Sequence, residues 1–532
     1  MVMNDLLHAP DRVLIQGDDG WSTAHRGESL CWGAADMLVT TDPHAAGLRV
    51  SLSARSPVRR VALVWRRSTQ SGDRLLGDHW ERGYGDLEWR GIVPERVMPW
   101  YFLLHDNQGT HGFGVQTGPA ALCFWQVSGE SIVLCLDTRC GGSGVLLGGA
   151  QLELANVVCR PGKPDETPFA ATQAFLRLLC PNPVMPAQPV YGGNNWYYAY
   201  GKSSHQEILA DSAFVASLAP QGGNRPYMVI DDGWQLSRDT AQASLWRMGN
   251  GRFPDMGALA RQMKALGVRP GIWVRPLSAP DHAPEALCLP QQRFLTPEPG
   301  RYLDPSIPEV LDIVSADIAQ QAQWGYQMIK HDFTTFDLLG RWGFQMGGDV
   351  TQEGWHFADR SKTSAQIIGG LYRTIGRAAG NALIIGCNTV GHLAAGVFHL
   401  QRTGDDTSGR QWERTRRMGV NTLAFRMAHH GALYACDADC AGITAAVPWE
   451  QNRQWLDLLS RSGTPLFVSA SPSVGPEQRE AIRAAFAHAA REVAPAEPLD
   501  WIESTCPAEW ILDEERVRFH WNREDAVEFL RP

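Results

Sequence analysis

Apolar and polar residues are arranged in two different ways along this chain. From about Val13 to Ala155 the apolar positions come in short runs, some alternating, cut by Gly, Asp or Asn. Leu48–Leu52, Val61–Val64, Trp100–Leu104, Phe113–Gln116, Ala121–Val127, Ile132–Leu136 and Gln151–Val158 read as strands. Closely spaced strands with turn residues between them predict an antiparallel β-sandwich. Gly112-Phe113-Gly114 superficially matches a nucleotide loop, but no βαβ unit surrounds it, so hairpin glycines are the better reading. Phe169–Leu179 reads as a helix. Pro181, Pro183, Pro186 and Pro189 then mark a linker.

Beyond the linker, strand-like runs alternate with helical ones. The strand-like runs are Pro189–Asn194, Tyr227–Asp232, Pro270–Arg275, Tyr326–Asp332, Ala382–Asn388, Phe398–Gly404, Ala432–Asp437 and Pro465–Ala470. Between them lie amphipathic stretches such as Gln206–Leu218, Gly257–Leu266, Ile307–Gln323 and Ser364–Ala379. Eight β runs interleaved with helices predict a (β/α)8 barrel, with a doubly wound open sheet as the alternative. The predicted organisation is an N-terminal β-sandwich with linker over 1–185, a catalytic barrel over 186–493 and a short C-terminal β segment over 494–532.

The polar residues gather at the ends of these runs. Asn194-Asn195-Trp196 follow the first, Asp231 and Asp232 end the second, and Trp273 and Arg275 end the third. Lys330 and Asp332 end the fourth, Cys387 and Asn388 the fifth. The sixth runs into Arg402 and then Asp405-Asp406, the seventh into Asp437 and Asp439. In a barrel the C-terminal strand ends form one rim, the active face. Acids, amides, bases and tryptophans converging there suit a polyhydroxylated ligand. Two carboxylates facing each other are the minimum apparatus for glycoside hydrolysis, one ionised and one protonated. Lys330, two residues from Asp332, lies on the same side of a strand and favours its ionisation. Asp405 has Asp406 beside it, so its proton is harder to lose. The residues therefore predict Asp332 as nucleophile and Asp405 as acid/base. A surface salt bridge at strand four, and a capped loop start or helix cap at the other acids, are the alternatives.

Charge and composition narrow the partners. A formal charge of −9 over 532 residues argues against nucleic acid. Twenty tryptophans are compatible with sugar platforms. Eleven irregularly spaced cysteines without a CxxC pair suggest thiols in a reducing compartment. Cys436, Cys440 and His429–His430 lack metal-ligand spacing, and no metal or cofactor is expected. Met1–Gln16 has no signal-peptide pattern and no apolar run approaches a membrane span, so a cytoplasmic protein without membrane contact is expected.

Met228-Val-Ile-Asp-Asp-Gly-Trp-Gln235, Ile329-Lys-His-Asp-Phe333 and Arg402-Thr-Gly-Asp-Asp-Thr407 together resemble glycoside hydrolase family 36, the α-galactosidases and their raffinose-synthase-like relatives. The resemblance spans the barrel in matching order. It implies that Asp231 and Asp232 bind the galactosyl 4- and 6-hydroxyls, that Lys330 and Arg402 bind sugar hydroxyls, and that Cys387 lies near the 2-hydroxyl with Asn388 beside it. It implies Asp332 and Asp405 as nucleophile and acid/base of a retaining α-galactosidase. An α-galactosyltransferase of raffinose- or stachyose-synthase type, an α-N-acetylgalactosaminidase, and a non-catalytic carbohydrate-binding barrel are its rivals. The chain departs from the family at His331, where Trp is usual, at Asn388-Thr-Val-Gly391, where Ser-Gly-Gly is usual, and in its short C-terminal tail.

Overall fold

The computed structural model describes residues 6–522 except positions 29, 68 and 71. The readings made on Met1–Asp5 and on the end of the tail beyond Asn522 fall outside the described residues. The first third forms two antiparallel sheets. One has six strands, among them Arg12–Gly17, Arg60–Arg66, Leu122–Val127 and Ser131–Asp137. The other has eight, among them Met37–His44, Gly47–Ala54, Tyr101–Asp106, Gly109–Val115 and Gln151–Arg160. Trp100 is the pivot between them. The strand before it pairs in the first sheet and the strand after it in the second. Its φ of +67° allows the sharp crossover, and its carbonyl accepts from Val115 N and Trp125 Nε1, both at 3.1 Å. Most of the tryptophans are buried, so their abundance serves the core more than a sugar platform.

The middle of the chain is a parallel barrel. Its strands are Tyr191–Asn194, Tyr227–Ile230, Arg269–Val274, Met328–His331, Leu383–Gly386 and Leu400–Arg402, then a divided seventh strand, then Leu466–Ala470. The division closes the barrel. Ala435–Asp437 pairs with strand six and Cys440–Ile443 with strand eight. Asp439, at φ +68°, makes the break between the halves. The open-sheet alternative is thereby excluded. Local signals account for the flanking helices: Pro308–Trp324 begins on a proline and ends at Gly325 with φ +104°, and Ser364–Ala378 starts in a Thr363/Gln366 capping box.

Strand alternation fixes which side chains enter the barrel. Tyr227, Val229, Met328, Ile385, Leu400 and Phe467 pack together in its interior. Lys330 follows Met328 on that inner face. His331 points the other way, edge-on to Tyr372 and Phe398 and bonded to Thr334. Burial holds it neutral, its pKa lowered to about 3. The residue that departs from the family pattern thus lies in the strand–helix layer and not in the pocket.

After strand six the helical region is irregular: Trp412–Thr415, a π-helical stretch Arg416–Asn421, and Thr422–Arg426. The sequence reading identified no helix there, nor Trp449–Arg461. The tail contributes a three-stranded sheet of Glu497–Pro498, Glu509–Leu512 and Glu515–Arg518. Among the described residues no disulfide forms and no helix is long and apolar enough to cross a membrane.

Candidate active site

The strand-four end is built around Asp332. Phe333, at φ +63°, turns the chain so sharply that its own N–H donates to Asp332 Oδ1 at 2.8 Å. A non-glycine residue in this region costs roughly 1–3 kcal/mol and persists only where its surroundings enforce it. Asn388 N donates to the same oxygen at 3.1 Å, and Trp273 Nε1 to Oδ2 at 3.1 Å. Burial alone would push the carboxyl up. Arg82, Lys330 and these donors outweigh it and hold the pKa at about 2.

Lys330 contributes to that field, but its direct partner is Asp231, at 2.7 Å. Asp231 also accepts from Asn194 Nδ2 at 2.7 Å and from Asp232 N at 2.9 Å. Asp232 is half-buried and bonded to Gln235 Nε2 at 2.6 Å. Burial first, and then its neighbours Asp231 and Asp332, raise its pKa against the Gln235 bond. The helix-cap alternative for this pair fails: the next helix, Met256–Ala265, is capped by Asp255.

The strand-six end differs from expectation. Asp405 lies between two guanidiniums, Arg82 at 2.7 Å and Arg414 at 2.9 Å. The expectation was that neighbouring acids hold its proton; its direct contacts are these two guanidiniums instead. Asp406 is in the opposite position. Arg402 serves two acids, Asp439 at 3.0 Å and Asp406 at 3.3 Å. Asp439 also accepts from Thr407 N at 2.8 Å, from Thr407 Oγ1 at 2.9 Å and from the Tyr197 hydroxyl. The negative charge settles on Asp439, whose pKa is lowered: burial opposes this, but Arg402, Lys330 and its donors prevail. Burial and the Asp439 charge raise that of Asp406, even though Arg402 and Arg82 favour its ionised form. Asp406 keeps 37% of its side chain exposed, against 17% for Asp405. Of the two adjacent acids, Asp406 is the more exposed and the one whose pKa is raised.

Three other expected residues act as supports. Arg275 pairs with fully buried Asp337 at 2.6 Å and stacks on Phe333 at 4.2 Å, so its charge is already committed. Asn388 is buried, with its amide between Phe336 N and Glu81 and its own N–H on Asp332. Cys387 Sγ accepts from Arg402 Nη1 at 3.2 Å, and burial pushes its thiol pKa well up. Trp196 opens the short helix Trp196–Ala199, half-buried against Tyr200.

Sequence reasoning missed the contribution of the sandwich. Glu81 and Arg82 lie in a loop of the first third, far along the chain from every strand end. Only the charged pair itself, next to Gly83 and Gly85, could have hinted at it. The His and Cys residues weighed as metal ligands have other partners. His429 bonds the hydroxyls of Tyr101 and Tyr434, and His430 Nδ1 accepts from Cys436 N. No group of three or more His, Cys, Asp or Glu disposed to hold a metal occurs among the described residues.

A sandwich is joined to a closed (β/α)8 barrel whose acids lie at the C-terminal rim. Among solved structures, the chain is similar to the α-galactosidase of Thermus thermophilus in complex with p-nitrophenyl α-D-galactopyranoside. The TM-score is 0.62 at 18% identity, over 93% of this chain and 99% of that one. It is also similar to the family 36 α-galactosidase AgaA of Geobacillus stearothermophilus (TM-score 0.58, 14% identity, 90% of this chain and 75% of that one). The α-galactosidase of Lactobacillus brevis gives 0.58 at 16% identity, over 89% and 72%. These likenesses are of fold. In sequence, 86 residues are 31% identical to Geobacillus α-galactosidase AgaA, 16% of this chain and 11% of that relative. No family model matches the chain.

Proposed function

We propose that this protein is a retaining α-galactosidase that hydrolyses terminal α-galactosides. The observation that carries the reading is a pair of acids at one rim with pKa values shifted in opposite directions: Asp332, held down at about 2, and Asp406, pushed up. Asp332 attacks C1 and the bond to the leaving oxygen breaks as Asp406 delivers its proton to that oxygen. Asp406, now a carboxylate, takes a proton from water, which attacks C1 and releases Asp332. Asp406 replaces Asp405 in this role because Asp405 is bound between two guanidiniums. Asp405 holds Arg82 in place.

Asp231, Asp232 and Lys330 would take up the glycone hydroxyls. Asp231 presents a carboxylate already fixed by Asn194 and Lys330, so an axial 4-hydroxyl can add a bond without reorganising it. That the Thermus and Geobacillus proteins were crystallised with stachyose and raffinose supports an oligosaccharide α-galactoside as substrate. Turnover of aryl α-galactoside, with the first-formed sugar followed by NMR, tests the reading. α-Galactose is expected first. Initial β-galactose, or equal turnover of the α-glucoside, would overturn it.

A further inference from the structure

The segment Asp78–Leu87 leaves the sandwich and is spliced onto the barrel rim. Gly83 N donates to Thr403 O at 2.8 Å and Asp405 N to Gly83 O at 2.9 Å, a parallel bridge beside the two strand-six acids. Asp78 pairs with Arg426 at 2.6 Å, and Leu87 exchanges both its backbone bonds with the Asn421 side chain, at 3.2 and 2.8 Å. The bridge leaves no room for side chains. A Cβ on Gly404 would come within 2.1 Å of Met418 O, and one on Gly85, at φ +75°, within 2.7 Å of Arg417 Cβ.

The splice delivers two charges. Arg82 reaches Asp405 at 2.7 Å, Asp406 at 3.8 Å and Cys387 Sγ at 3.7 Å, with Trp342 and Tyr84 packed near its guanidinium. Glu81 accepts from Gly343 N at 2.8 Å and from Asn388 Nδ2, and Asn388 N in turn donates to Asp332. One segment of the sandwich therefore touches both acids after strand six and the support of the acid after strand four.

We propose that Arg82 is a positioning residue that ties the strand-six acids to Asp332, so that the site is incomplete without the sandwich. The role rests on the glycosidase reading for its activity readout, though not for its electrostatic one. Among the groups that favour the ionised form of Asp332, Arg82 comes first, ahead of Lys330. Arg275 also faces it, but Asp337 neutralises that charge. Asp232 and the Cys387 thiol oppose or do not aid ionisation, and His331 is neutral. Without Arg82, Lys330, itself paired with Asp231, would be left as the main cation opposing burial.

The test uses the full chain with R82Q and R82K. R82Q is expected to lower kcat/KM for an aryl α-galactoside by about 10²-fold or more. Its acidic limb should move up by about 1–3 pH units as Asp332 loses its main counter-charge. R82K should restore the limb more than the rate, because an ammonium cannot fork between Asp405 and Asp406. A lower melting temperature with the limb unmoved would mark Arg82 as merely structural and overturn the proposal. If R82Q does not fold, R82K with unchanged rate and profile overturns it equally. If the wild type turns over no α-glycoside, the galactosidase reading fails and thermal unfolding still decides: D332N should lower Tm in the wild type, where the ionised Asp332 is stabilised, and lower it less in the R82Q background. Equal shifts would overturn the coupling.

Discussion

The ends of strands four and six each carry an aspartate beside a cation, yet the pKa values of the two acids shift in opposite directions. Asp332 has three N–H donors and lies in the field of Arg82 and Lys330, which also pair with Asp405 and Asp231. Asp406 shares Arg402 with Asp439, which has three further donors from Tyr197 and Thr407. Burial opposes ionisation at both. What separates them is how many donors each carboxylate owns. Proximity to a cation does not settle the direction of the shift; the donors each carboxylate owns do.

Removing Asp332 should have the largest effect. Asp332→Ala is expected to cost roughly 10⁴-fold or more in kcat while the variant still folds. Turnover within tenfold of wild type would take Asp332 out of the mechanism. Glycone discrimination comes next. The wild type should favour α-galactoside over α-glucoside by as much as ~10⁴–10⁵-fold in kcat/KM, and Asp231→Asn should lose most of that margin. Paired aryl substrates measure it, and comparable values in the wild type would sink the assignment of Asp231.

The contrast between the neighbouring strand-six acids is sharper still as a diagnostic, though smaller in size. Asp406→Ala should lose about 10²–10⁴-fold on substrates with poor leaving groups and much less on activated aryl galactosides. Asp405→Asn should slow both kinds alike, because it frees Arg82 without removing the acid. If the leaving-group dependence appears in Asp405→Asn instead, the two have been assigned the wrong way round.

The pH dependence follows from the same comparison and is the mildest effect. Asp332 has a folded pKa depressed to about 2. Its contribution to stability is present above the ordinary aspartate pKa and fades as pH falls through the folded value. Activity should therefore persist on the acid side until the fold itself fails. The alkaline limb should follow loss of the Asp406 proton, above the ordinary carboxylate range. D332N should flatten the dependence of Tm on pH at the acid end; an unchanged dependence would contradict the depressed value.

The strand-four end was legible in the sequence because its determinants are local. Lys330 and Asp332 sit two residues apart, and strand alternation puts them on one face. The eight β runs were legible for the same reason, as period and punctuation are short-range signals. The strand-six end was not, because its partners are distant in sequence. Arg82 comes from the sandwich, Arg414 from an irregular helix, and Asp439 from a break in strand seven that no local pattern announces. Adjacent acids such as Asp405 and Asp406 point different ways, so spacing alone cannot say which one meets the pocket. Arg275 and Asn388 were expected to face substrate because they end strands; buried partners from other elements, Asp337 and Glu81, claim them instead.

The assignment of the two acids is tested most directly by the product that Asp406→Ala forms in azide. With the acid/base gone, an activated aryl α-galactoside still galactosylates Asp332, and azide then attacks C1 from the face the leaving group vacated. The account predicts α-galactosyl azide from Asp406→Ala, identified by NMR. β-Galactosyl azide from that variant, or α-galactosyl azide from Asp405→Ala and none from Asp406→Ala, would contradict it.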